Sequence, residues 1–144
     1  MANRFDMGKV EKQVRTQLEA SLVLMGRTAK TFFYDNFRKQ GFDDKTVTKW
    51  TPRKKADKRA GRAILVKSGD LRRSIRFDTV NKNNLSVRIA SDLPYAKIHN
   101  DGLMGNAWGK APFKMPKRQF IGDSYQLNEK VKKIILNNLN KAFK

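Results

Sequence analysis

Apolar residues recur at three- and four-residue steps from about Met7 to Gln40. Val10, Val14, Leu18, Leu22, Met25, Ala29, Phe32 and Asn36 or Phe37 fall on one stripe, while Glu11, Lys12, Arg15, Glu19 and Lys30 occupy the other faces. The segment reads as one long amphipathic helix. It would run roughly 45–50 Å, longer than a domain of this size needs for its own core. Gly26 interrupts it at a cost of about 1 kcal/mol relative to alanine, which predicts a bend or a close packing contact there. Gly41 supplies a C-terminal stop.

Beyond residue 41 the period disappears. Trp50-Thr51-Pro52 precedes Arg53, Lys54, Lys55, Lys58, Arg59 and Arg62, so 42–63 reads as a basic loop with room for a short helical piece. Ser68 can cap a short helix containing Asp70, Leu71, Arg72 and Arg73, with Asp70 favourably placed in its first turn. A hairpin follows. Ile75, Phe77 and Thr79 alternate with Arg76, Asp78 and Val80; after the turn Asn81-Lys82-Asn83-Asn84, Leu85, Val87 and Ile89 alternate with Ser86, Arg88 and Ala90. A second short helix is expected within 91–102, capped by Ser91 or Asp92, with Pro94 in its first turn and Asn100-Asp101-Gly102 at its end.

The stretch 103–118 has no period and reads as a long loop, a length that favours a functional or interface role. Gln119 to Ile121 can add a short strand. Leu127, Val131, Ile134, Ile135, Leu139 and Phe143 then form the stripe of a C-terminal helix starting near Ser124. The expected fold is α+β: a long N-terminal helix and a C-terminal helix packed on a small antiparallel β-sheet. The chain divides as helix 1–41, basic loop 42–63, hairpin core 64–122 and helix 123–144, all within a single domain over 1–144.

Charge changes this picture more than length does. The formal net charge is +19 and is unevenly spread. Residues 1–48 carry 9 basic and 6 acidic groups, 49–76 carry 11 and 2, 77–96 carry 2 of each, and 97–144 carry 10 and 3. The positive potential therefore belongs to the middle and the C-terminal part, and it needs solvent or an acidic partner. The basic run is either a solvated linker or a contact for DNA or an acidic protein. Candidate contacts are Arg53, Lys54, Lys55, Lys58, Arg59 and Arg62, joined by Arg72, Arg73 and Arg76. Leu, Ile, Val and Phe make up roughly 24% of the chain, above the level of about 20% below which high charge implies disorder.

Catalytic chemistry has little to work with. Cysteine is absent, which removes disulfides, thiolate metal sites and a cysteine nucleophile. His99 is the sole histidine, and Asp92, Asn100 and Asp101 near it lack the paired spacing of a metal site or the base-and-orienter pattern of a hydrolase. His99 is expected to be a structural hydrogen-bonding residue at a helix end, with Asp101 setting the turn and Gly102 taking a positive φ. No glycine precedes a helix with a Lys-Ser or Lys-Thr pair, so no nucleotide loop is present. No catalytic residue, metal or cofactor is expected. Zinc-finger spacing, basic-zipper heptads and RRM aromatics are missing too, which leaves only DNA contact without base readout. With no apolar run near 18 residues, a membrane span and Sec export are not expected, and synthesis is expected in the cytoplasm. Trp50, Trp108, Tyr95 and Phe113 could stack on single-stranded bases. The other reading packs Tyr95 on the sheet and uses Trp108 to anchor a loop at a subunit interface. Trp50, Tyr95, Trp108, Phe113 and Phe120 are the candidate interface residues.

Three blocks in order resemble one family. Trp50-Thr51-Pro52 precedes Leu65, Ser68-Gly69-Asp70-Leu71 and Ser74-Ile75; after the hairpin come Pro94-Tyr95-Ala96, Ile98-His99 and Gly102; Arg118, Phe120, Ile121 and Gly122 stand before the last helix. This pattern, over roughly 45–140, is similar to that of the phage virion-morphogenesis or tail-completion family. The resemblance implies a non-enzymatic structural protein of a tailed phage, synthesised in the host cytoplasm and built into the virion neck. It implies a homo-oligomeric ring, a hexamer favoured with a dodecamer as the alternative, joining the tail to the portal or connector. Portal, connector and tail proteins are then partners, with non-specific contact to packaged DNA and none with a membrane. The chain departs from the pattern in its displaced Pro116 and its high basic load. A closed ring is a head-to-tail assembly that needs two different surfaces per subunit. The long helix and the 103–118 segment are the candidates for them.

Overall fold

The first helix, α1 (Met7–Lys39), opens on Asp6, whose carboxylate accepts a hydrogen bond from the Lys9 backbone N–H at 3.2 Å. The computed structural model describes residues 6–106 and 112–144. Ser21, Leu22, Gly26, Ala29, Phe32, Phe33, Asn36 and Phe37 are the buried positions of α1, so the expected stripe is real but is fully covered only in its second half. Val10, Val14 and Leu18 are half-buried. Gly26 marks a close contact: a Cβ there would lie 2.4 Å from the ring of Phe77.

Gly41 does not stop the helix by a left-handed conformation. That role falls to Gln40, at φ 51° and ψ 43°, whose side chain donates to the carbonyls of Phe37 (2.7 Å) and Ile64 (3.2 Å) and accepts from the Ile64 N–H. Gly41 is required for a different reason, since a Cβ would meet the Thr48 carbonyl oxygen at 2.5 Å. That approach belongs to an antiparallel pair, β1 (Gly41–Asp43) with β2 (Val47–Lys49). The expected loop 42–63 therefore begins as a hairpin, hidden in the sequence by its three-residue strands. Turns follow up to residue 62.

Next come α2 (Asp70–Arg73), then β3 (Arg76–Asn81) paired antiparallel with β4 (Ser86–Ala90). The cap of α2 is Gly69 at φ 77°, not Ser68; the Ser68 hydroxyl is taken up with Asp70 instead. The hairpin lies where its alternation predicts, with one change of phase. Phe77 pairs with Ile89 and Thr79 with Arg88, so the bulge at Asp78 turns Val80, not Thr79, to the half-buried side. Leu85, expected in the strand, sits in the turn at φ 52°.

The second short helix, α3 (Ala96–Asp101), starts after Pro94 with Tyr95 as an N-cap that makes no side-chain cap bond. Gly102 ends it at φ 69°, where a Cβ would meet the Lys117 backbone at 2.9 Å. The segment expected to be a loop over 103–118 forms another ribbon, β5 (Met104–Asn106) against β6 (Pro112–Lys114). The three ribbons are separate two-stranded sheets, so the β part is not one sheet.

No strand forms at Gln119–Ile121 because side chains have taken its backbone groups. Asn100 Oδ1 accepts from the N–H groups of Phe120 (2.9 Å) and Ile121 (3.0 Å). Asn36 Nδ2 donates to the Phe120 carbonyl (3.1 Å) and Trp50 Nε1 to that of Gln119 (2.7 Å). Asn36 also accepts from the Asp43 N–H, so a fully buried amide is satisfied at both ends. Around it Phe37 meets Trp50 edge-on at 5.4 Å and Phe120 at 5.3 Å. Ile75, Leu71, Phe32, Phe33, Phe42 and Leu127 complete the core.

The last helix, α4 (Tyr125–Ala142), is capped by Ser124, which accepts from the Leu127 N–H at 3.2 Å and donates to the Asp43 carbonyl at 2.7 Å. It runs back along α1, since Leu127 joins the core near Phe32 while Asn138 donates to Ser21 at 2.8 Å. Phe143, expected on its stripe, is exposed at the C-cap.

Candidate assembly surfaces and basic cleft

The nine basic candidates divide by what holds them. Arg53 is the organiser of its own loop. Its guanidinium donates to the carbonyls of Arg59 (3.2 Å), Arg62 (2.8 Å) and Ala63 (3.2 Å), which folds the chain into a knot of turns. Lys54, Lys55, Lys58, Arg59 and Arg62 stand exposed on that knot, and none has an ion-pair partner among the described residues. The other three are engaged. Arg72 lies 4.7 Å from the Tyr34 ring centroid, Arg73 pairs with Asp70, and Arg76 pairs with Asp78 (3.4 Å) and Asp92. The expected basic stripe is therefore two regions, one free and one in which Arg73 and Arg76 are ion-paired while Arg72 lies on a ring with its Nε buried and without a hydrogen-bond partner.

The aromatic candidates divide in the same way. Trp50 and Phe120 are only 6% and 1% exposed and belong to the protomer's own core, which removes them from any subunit interface. Trp50 Nε1 instead ties its polar stretch to the Gln119 carbonyl of the same chain. Tyr95 is exposed, its ring edge-on to His99 at 6.0 Å, so it does not pack on the sheet. Phe113 is 38% exposed on β6, and Trp108 lies outside the described residues. Exposed apolar side chains that the sequence did not single out accompany them: Leu103 and Met104 (57% exposed) on the β5–β6 ribbon, Val23 and Leu24 on α1. Their signal was present as apolar residues off the main stripe of α1, or inside a stretch without period.

The ribbon is rooted on α3. Leu103 N–H donates to the Ile98 carbonyl, Met115 N–H to that of Leu103, and Arg118 N–H to that of His99 at 2.8 Å. The Phe113 ring lies across Gly105, where a Cβ would be 3.1 Å away. A cleft of about 720 Å³ lies between the 52–59 turns, the segment leading to α2, and His99 with Met115, Pro116 and Arg118.

Two side chains in the cleft are unusual. Arg118 is 7% exposed; its Nε donates to the Thr51 carbonyl at 3.0 Å, and no carboxylate pairs with it among the described residues. Burial and the charge of Arg53 both lower its pKa. His99 was expected to be a structural hydrogen-bonding residue, yet its Nδ1 is buried with no partner, and the hydrogen-bonding work falls to Asn100. Burial, then the nearby Arg118 charge, lowers the pKa of His99 and keeps the imidazole neutral. Among the described residues no group of three or more His, Cys, Asp or Glu side chains could hold a metal, and no helix is long and apolar enough to cross a membrane. Arg118 was part of a recognised motif, but its burial depends on contacts that no local pattern records.

A family model described as the phage virion morphogenesis family matches residues 6–140. Neither a curated protein nor a solved structure matches the chain. A match over nearly the whole length shows the family: the chain belongs to the phage virion morphogenesis family, and its role lies in building the phage particle.

Proposed function

We propose that this member of the phage virion morphogenesis family is a non-enzymatic structural protein that forms a ring at the head–tail junction. There it joins the tail to the portal or connector of a tailed phage, and it resides in the virion neck. The observation that carries the reading is the family match across 6–140, which takes in all three motif blocks and extends the likeness to α1.

Surface chemistry supports it. A head-to-tail ring asks each subunit for two unlike surfaces. Val23 and Leu24 on α1 offer one apolar patch; Leu103, Met104 and Phe113 on the β5–β6 ribbon offer another. A two-stranded ribbon is marginal by itself, and a neighbour that covers its apolar residues would stabilise it. The exposed basic knot at 54–62 suits docking to acidic neck proteins, where charge complementarity accelerates and orients encounter more than it sets affinity.

The test is the mass of the purified protein at rising concentration, joined to analysis of purified particles. A hexamer, about 100 kDa from subunits of 16.6 kDa, or a dodecamer is expected, with the protein present in virions. A monomer at high concentration together with absence from particles would sink the proposal. A second reading, non-specific nucleic-acid binding, has the five exposed basic residues of the 54–62 knot in its favour. It requires tight DNA association by the monomer that collapses as salt rises.

A further inference from the structure

We infer that the cleft beside Arg118 and His99 receives an acidic, partly apolar peptide segment from a partner protein of the particle. A charge as buried as Arg118 is ordinarily paired, because even partial removal from water carries a cost that a counter-charge offsets. Here Nε is held by Thr51, and no carboxylate among the described residues neutralises the guanidinium. His99, whose Nδ1 is buried without a partner, lines the same cleft. Five basic residues line it against two acidic ones. Those two are committed elsewhere: Asp57 accepts from the Arg59 N–H, and Asp70 is held by Ser68 and Arg73.

The walls decide the kind of anion. Leu65, Leu71, Met115 and the prolines 52 and 116 give an apolar lining that offers nothing to a phosphodiester backbone. About 720 Å³ is the size of a site for a few side chains and lies within the usual range for ligand pockets, whereas a nucleic-acid duplex cannot enter it. An aliphatic side chain next to a glutamate or aspartate fits both the lining and the charge. Arg118 would then take the carboxylate, with Lys54 and Lys67 steering it at the rim.

This deepens the assembly role proposed above, and its test is separable from the ring. The probe is a fluorescein-labelled six-residue peptide of alternating glutamate and leucine. A matched glutamine–leucine peptide and a six-nucleotide oligo-dT serve as comparisons, with binding read by anisotropy. His99 is the sole histidine, so its imidazole proton signals report on the cleft alone. The glutamate peptide is expected to bind at least about tenfold more tightly than either comparison and to move the His99 signals. Lys54→Glu with Lys67→Glu should weaken it about tenfold, while Lys130→Glu with Lys132→Glu, the same charge change on α4, should leave it within about twofold. Equal affinity for the glutamine peptide, preference for oligo-dT, equal loss in both double variants, or unmoved His99 signals at saturation would each overturn the proposal. A ring that ignores the peptide refutes the cleft alone; a monomer that binds it refutes the ring alone.

Discussion

The β3–β4 and β5–β6 hairpins have the same topology and opposite surroundings. Residues of β3–β4 meet α1, with Phe77 seated against Gly26 and Ile75 fully buried at its entry. The β5–β6 ribbon is tied to α3 by backbone hydrogen bonds and leaves Met104 and Phe113 to solvent. A two-stranded sheet needs an apolar surface beneath it to be stable. The first hairpin finds that surface within the protomer. Among the described residues the second has no comparable apolar cover, and the ring proposed above would supply it from a neighbouring subunit.

The contrast can be broken most severely at the anchored hairpin. Ile75→Ala should cost about 2–5 kcal/mol, because a fully buried side chain is replaced by a cavity. Urea unfolding should show a lower midpoint at similar slope, and an unchanged midpoint would remove Ile75 from the anchoring role. Gly26→Val comes next, at roughly 1–3 kcal/mol, since the Phe77 ring must leave its slot. A thermal melt above the native value would show instead that the ring moves freely.

The exposed ribbon should behave in the reverse way. Met104→Ser with Phe113→Ser is expected to change unfolding of the monomer by no more than about 1 kcal/mol while shifting the mass distribution towards monomer. Loss of fold with oligomers retained would place the ribbon in the protomer core. The smallest effect concerns His99, on the helix that roots the ribbon. Its pKa is lowered by burial and by Arg118, so the unfolded chain binds its proton first. Its contribution is full above the ordinary histidine value of about 6.5 and falls as pH drops below it. His99→Gln should flatten that part of the pH dependence of stability, measured between about pH 7.5 and 5.5; an unchanged slope would assign it to other groups.

Legibility followed the range of the interaction. Long periodic segments were readable because their burial repeats along the chain: α1 and α4 begin at Asp6 and Ser124 caps and carry the expected stripes, and β3–β4 lies where its alternation put it. Three-residue strands hold too little pattern to read, so the sequence of β1–β2 and β5–β6 has the look of loops. The supposed strand at 119–121 failed because Asn36, Trp50 and Asn100, distant in sequence, took its backbone groups first. Within the candidate sites, the basic knot at 54–62 was visible in composition, whereas the engagement of Arg72, Arg73 and Arg76 and the burial of Trp50, Phe120 and Arg118 were not.

By itself the sequence determined the α+β class, the two long helices, the central hairpin, the location of the positive charge and the order of the family blocks. Each of these is written in neighbouring residues or in their sum. Only the tertiary structure decided which aromatics fill the core and which face outward, which arginines are neutralised, and that an unpaired guanidinium and an unpaired imidazole share one cleft. The burial of the aromatics and of Arg118 depends on contacts between distant residues, such as Trp50 with Gln119, Asn36 with Phe120 and Arg118 with Thr51, whereas Arg73 and Arg76 find their carboxylates within sixteen residues of chain. Burial is a property of such distant neighbours, and no local period encodes it.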